Sequence, residues 1–105
     1  MYARNVRIKL KGNCMPEFTR ILEQEIIPLL RKQKGFQDEI TLIAGKRNEA
    51  IAITYWESEE DADAYNHVVY LDALRALSTV VESMPVVETF EIVGSTSHEI
   101  AASSA

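Results

Sequence analysis

Two periodicities predict a ferredoxin-like α+β domain of order β-α-β-β-α-β with an antiparallel sheet. Apolar residues alternate in steps of two through four short stretches, and recur in steps of three and four through two longer stretches between them. A third observation is the junction Tyr55-Trp56-Glu57-Ser58, where an apolar strand ends and an acidic, capped helix starts at once. In such an arrangement the helices cover one side of the sheet.

Taken in order, Val6, Ile8 and Leu10 alternate within a first strand from about Ala3 to Lys11, closed by Gly12-Asn13. Pro16 suits a first helical turn, and Phe18, Ile21, Leu22, Ile26, Leu29 and Leu30 then share one face, with Gly35 as the C′ stop. Pro28 removes a backbone donor inside that helix, which predicts a kink between Gln24 and Pro28. The second and third strands run from about Phe36 to Lys46 and from Ala50 to Trp56, joined across Arg47-Asn48-Glu49. Ser58 caps the next helix with Asp61 three residues on, and Glu59, Glu60 and Asp61 suit its positive end. Ala62 and Tyr65 mark its inner side. After a break near His67 to Tyr70, Leu71, Leu74, Leu77, Val81 and Met84 continue the stripe up to Pro85. A fourth strand carries Val86, Phe90 and Ile92 against Val87, Thr89 and Glu91. Residues 1–94 therefore read as one domain, and residues 95–105 as a small, polar, arm-like tail.

With 105 residues, 47% apolar and 26% charged, the chain suffices for one ordinary core. A net charge of −5 opposes nucleic acid and anionic lipid as partners, and no apolar run nears the roughly 20 residues of a membrane span. The single cysteine, Cys14, and the absence of a charged-then-apolar leader point to a cytoplasmic setting. Arg4, Arg7, Lys9 and Lys11 read as the solvated face of the first strand, and Arg31, Lys32 and Lys34 as the cationic end of a helix. Strands two and three are apolar on both faces: Ile40, Leu42 and Ala44 lie opposite Thr41 and Ile43, and Ile51, Ile53 and Tyr55 opposite Ala52, Thr54 and Trp56. One face packs on helices. The other requires a partner sheet, most simply from a second copy related by a two-fold axis.

No metal is expected, because Cys14, His67 and His98 lie far apart without ligand spacing. No glycine-rich phosphate loop or dinucleotide fingerprint is present either. What remains is an amphipathic cluster, Tyr55, Trp56, Tyr65, Asn66, His67 and Tyr70. It has two readings: a pocket that stacks a flat ligand and orients it by hydrogen bonds, or ordinary packing around Trp56. His67 is the one group of the cluster whose unperturbed pKa lies near neutrality, which suits a proton acceptor; it equally suits a surface residue at a helix break.

From Ala3 to Val93, the strand–helix opening, Gly35-Phe36, the Trp56-x-Ser58 turn and the closing strand from Pro85 resemble the antibiotic biosynthesis monooxygenase (ABM) family, the small dimeric α+β barrels. The resemblance implies a homodimer through the sheet face and cofactor-independent monooxygenation of a small aromatic or quinol-like substrate, with neither flavin nor metal. His67 would be the base, Trp56 and Tyr65 would shape the pocket, and Asn5 or Tyr70 would be donors to the developing oxyanion. The rival reading is a non-catalytic dimeric barrel that binds a small ligand or serves a structural role. The haem-degrading branch of the family fits poorly, since Tyr65 stands at its tryptophan, Arg75 at its histidine, and Asn5 or Val6 at its asparagine.

Overall fold

In a computed structural model, which describes residues 1–96, strands β1 (Tyr2–Lys9), β2 (Phe36–Ala44), β3 (Glu49–Trp56) and β4 (Val86–Glu91) form one antiparallel sheet of order β2-β3-β1-β4. Helices α1 (Met15–Ile21) and α2 (Ile27–Arg31), joined by the π-helical turn Leu22–Ile26, bridge β1 and β2; α3 (Glu59–Val68) and α4 (Tyr70–Leu77) bridge β3 and β4. This is the ferredoxin-like β-α-β-β-α-β order, with β1 and β3 central and β2 and β4 at the edges.

The even-numbered residues of β1 and β3 face the helices. Val6 lies opposite Ala52 and Ile8 opposite Ala50, so large side chains on one strand stand beside small ones on the next. Phe18, Ile21, Leu22, Ile26 and Leu30 from the first helical segment, and Ala62, Tyr65, Ala73 and Leu77 from the second, close over them. Arg4 belongs to this face too. The expectation that it shares a solvated face with Arg7 and Lys9 is therefore corrected: Arg4 lies opposite Thr54 and is 2% exposed, whereas Arg7 and Lys9 point outward.

The irregularity expected near Pro28 takes the form of the π-helical turn Leu22–Ile26 just before it. Proline has no N–H to offer the carbonyl of Gln24, and a widened turn is one way a helix absorbs that loss. Gly35 is not the helix stop: Lys32 caps α2, and Gly35, at φ +81°, sits at the entry to β2. There its carbonyl accepts from Glu57 N at 2.8 Å, and a Cβ on it would collide with the Asp61 carboxylate. β2 ends at Ala44 rather than Lys46, because Gly45–Arg47 winds into a 3-10 turn completed by Asn48 at φ 50°.

Ser58 caps α3 as expected, its Oγ accepting from Asp61 N at 3.2 Å. The helical pair breaks at Val69. The stripe predicted through Met84 stops sooner. After Leu77 the chain turns back to β1, with Lys11 N donating to Val80 O at 2.9 Å, Glu82 N to Lys9 O at 2.8 Å, and Val81 bridging Leu10. Ala73, Leu77 and Val80 are buried, while Leu71 and Met84 are exposed.

The opposite sheet face carries Ile40, Leu42, Ile51, Ile53, Tyr55, Val86 and Phe90, and no helix of the described residues lies over it. Leu42 is 51% exposed and Phe90 49%. His98 and residues 97–105 of the expected tail lie outside the described residues. No described helix is long and apolar enough to cross a membrane.

Candidate functional site

The end of β3 anchors the site. Trp56 is fully buried, its indole Nε1 donates to Thr54 Oγ1 at 2.8 Å, and Phe36 meets its ring edge-on at 5.7 Å. The Ser58 cap starts α3 immediately after this strand, which drops Tyr65 two turns later onto Trp56, with ring centroids 5.1 Å apart. Tyr70, the first residue of α4, continues the row at 6.2 Å from Tyr65.

Arg4 rises from β1 beneath these rings. Its guanidinium carbon lies 3.9 Å from the Tyr70 ring centroid and 5.2 Å from that of Tyr65, and Nη2 donates to Asn66 Oδ1 at 2.8 Å. Among the described residues no carboxylate pairs with it. Its Nε and the Tyr70 hydroxyl are both shut off from solvent without a hydrogen-bond partner; the two groups attract electrostatically, but their geometry falls short of a hydrogen bond. Each ring face returns about 0.5–2 kcal/mol to a cation. Removing an ion from water costs several kcal/mol, so the rings and one amide leave the guanidinium under-compensated.

Between sheet and helices lies a cavity of about 40 Å³ that opens into a wider mouth. Its walls are apolar, among them Leu22, Leu30, Ala52 and Leu77. Arg4, Thr54, Tyr65, Tyr70 and Glu39 supply its polar atoms. The enclosed volume is well below the roughly 300 Å³ at which small-molecule pockets begin, so a single ring enters only as lining side chains move aside.

Burial sets the protonation states. It pushes the Tyr65 phenol up to about 12 against the opposing pull of the Arg4 cation, and raises Tyr70 in the same way. Burial also lowers Arg4 from its usual value, opposed by Tyr70 and Tyr65. Glu39 is raised by burial, the hydrogen bond from Thr41 Oγ1 at 2.6 Å working the other way and Asp38 adding to the rise. At neutral pH the two tyrosines are therefore protonated donors beside a cation.

Of the residues singled out from sequence, Tyr65 and Tyr70 line the cavity, and Trp56 backs Tyr65 without reaching it. Asn5 lies on the opposite sheet face, in register with Ile53, so it does not meet them. Tyr55 shares that outer face. His67 is exposed and outside the cavity lining. Its Nδ1 lies 2.8 Å from the Asp63 carbonyl, which can only accept, so the proton sits on Nδ1. Sequence reasoning missed Arg4 and Glu39. The signal was strand parity: Arg4 is in step with Val6 and Ile8, and Glu39 with Thr41 and Ile43.

No protein-family model matches the sequence, and the search of curated proteins found no match. Solved structures are similar in fold. A Nitrosomonas europaea protein of unknown function superposes with a TM-score of 0.75 at 21% identity, covering 90% of this chain and 90% of its own. A Bordetella bronchiseptica protein assigned as an antibiotic biosynthesis monooxygenase gives 0.75 at 13% identity, covering 88% of this chain and 96% of its own. SnoaB, a cofactor-independent oxygenase from Streptomyces nogalater compared as a point mutant, gives 0.74 at 15% identity, covering 92% of this chain and 97% of its own.

Proposed function

The chain has the fold of the antibiotic biosynthesis monooxygenases, and from that premise we infer that its sheet–helix cavity is a small-molecule site for cofactor-independent monooxygenation of a small aromatic or quinol-like substrate. The observation that carries this reading is an apolar cavity with two protonated tyrosines and a cation among its lining residues. Apolar walls hold a flat ring, and the donors stabilise negative charge as its hydroxyl ionises. An electron-rich phenolate can pass electrons to dioxygen directly. One oxygen atom enters the ring as a quinone carbonyl and the other leaves as water, with all four electrons drawn from the ring. His67 is the proposed proton acceptor, which requires the substrate proton to reach it outside the cavity wall, since it is not a lining residue; Tyr65 and Tyr70 contact substrate and Trp56 fixes Tyr65. Asn5, on the far face, would have to act across a subunit interface.

Oxygen uptake by the purified protein against a panel of phenols, hydroquinones and hydroxylated naphthalenes tests the reading, with His67→Ala alongside. Uptake of one dioxygen per quinone formed, with one oxygen atom from isotopically labelled dioxygen in the product and no hydrogen peroxide released, supports it, and loss in His67→Ala assigns the base. Uptake by no compound contradicts it. A second reading, a non-catalytic ligand-binding barrel, is favoured by the exposed position of His67 outside the cavity lining. It predicts binding of small aromatics without oxygen uptake.

We propose a homodimer in either reading. The uncovered face carries Ile40, Leu42, Val86 and Phe90 in the exposed state, and a second copy of the same sheet, stacked about 10 Å away, would bury them. The single cysteine suits a reducing, cytoplasmic location.

A further inference from the structure

Arg4 is unusual in this molecule. It is 2% exposed, no described carboxylate pairs with it, and only Nη2 has a hydrogen-bond partner, the Asn66 amide oxygen. Its Nε has no partner within hydrogen-bond geometry. Buried cations are ordinarily paired, and an orphaned donor in a dry site marks a missing acceptor. The neighbouring groups do not supply one. Tyr65 and Tyr70 present ring faces to the guanidinium, the Tyr70 hydroxyl oxygen lies close to it but outside hydrogen-bond geometry, and Glu39, elsewhere on the cavity wall, has its Oε2 engaged by Thr41.

Packing alone does not account for it. At the same face of β1, Val6 and Ile8 fill their places with apolar side chains at no desolvation cost. Nor does Arg4 serve long-range attraction, since the chain as a whole carries a charge of −5 and repels anions at a distance. Its charge is of use only at contact.

We propose that Arg4 is the anion-recognition residue of the cavity, which accordingly takes a planar aromatic bearing one ionised carboxylate. The ring lies along the apolar wall of Leu22, Leu30, Ala52 and Leu77, and the carboxylate meets the guanidinium, with the Tyr70 hydroxyl as a second donor. This rests on the cavity being the small-molecule site and narrows its ligand to acids.

The test compares benzoate with its neutral isostere benzamide, at neutral pH and up to millimolar concentration. Binding is followed by NMR of the methyl groups of Ala52 and Ala73, both on the cavity wall. The wild type is expected to bind benzoate at least about tenfold more tightly than benzamide, and Arg4→Met to abolish that preference. Arg4→Lys, which keeps the charge, is expected to retain part of it, and serves if Arg4→Met does not fold. Benzamide binding as tightly as benzoate would overturn the inference while leaving the cavity as the site. Benzoate preference undiminished in Arg4→Met would overturn it as well, by placing the anion elsewhere. Failure of both probes to shift the cavity methyls would remove the site reading and the inference together.

Discussion

Arg4 and Glu39 enter the site through strand parity, the simplest rule a β-strand obeys. Grouping Arg4 with Arg7 and Lys9 by charge placed it in solvent, whereas its even spacing from Val6 and Ile8 puts it inside. The tyrosines of the site were legible because Trp56, Tyr65 and Tyr70 cluster in sequence around one turn and one helix. The direction of His67 was not, since a helix-break residue can face either way. Two predictions belong at this scale. Trp56→Phe leaves Thr54 Oγ1 without its donor and opens space under Tyr65, and should cost about 1–3 kcal/mol in urea unfolding. Glu39 has its folded pKa raised by burial, so the folded state favours the proton. That contribution to stability is complete below the unfolded value of about 4.3 and is lost as pH rises through the folded one. Glu39→Gln should therefore raise the melting temperature relative to wild type at neutral pH. The gain should shrink as pH falls through the carboxylate range, and a gain constant with pH would contradict this assignment.

Each helix in this chain takes its boundaries from the residues at its ends more than from its apolar stripe. Ser58 was readable as a cap because its hydroxyl, the acidic first turn and the preceding strand all agree, and Ser58→Ala should cost about 1 kcal/mol by thermal unfolding. The stop after Leu77 was hidden, because Val81 and Met84 keep a helical interval although the backbone has turned to bond Lys9 and Lys11. Gly35 was visible as a stop signal but misassigned to the helix. Its work is at the neighbouring turn, where a positive φ lets its carbonyl receive Glu57 N while Asp61 fills the space a Cβ would take. Gly35→Ala should destabilise by about 1–3 kcal/mol and loosen the start of α3, which hydrogen exchange at Asp61 and Ala62 would report. Pro28 likewise announced a disturbance without its form, since sequence does not distinguish a kink from a π-helical turn.

At the scale of the whole molecule, the sheet separates two apolar faces with different uses. The inner face, the core and the cavity occupy one side; Ile40, Leu42, Val86 and Phe90 lie exposed on the other, where the proposed second copy would cover them. This division was legible from β2 and β3, whose alternate positions are apolar in both phases. Leu42→Lys would place two charges in the proposed dimer seam, and sedimentation should show a shift from dimer to monomer. Wild type sedimenting as a monomer would contradict the seam itself. The two faces also make the central claim directly measurable, because each carries its own methyl groups. Titrating a soluble hydroquinone into the protein should shift the methyl signals of Leu22, Leu30, Ala52 and Ala73, which line the cavity, and leave those of Ile40, Leu42, Ile51 and Ile53 in place. Shifts confined to the outer set would contradict the account and move the site to the other side of the sheet.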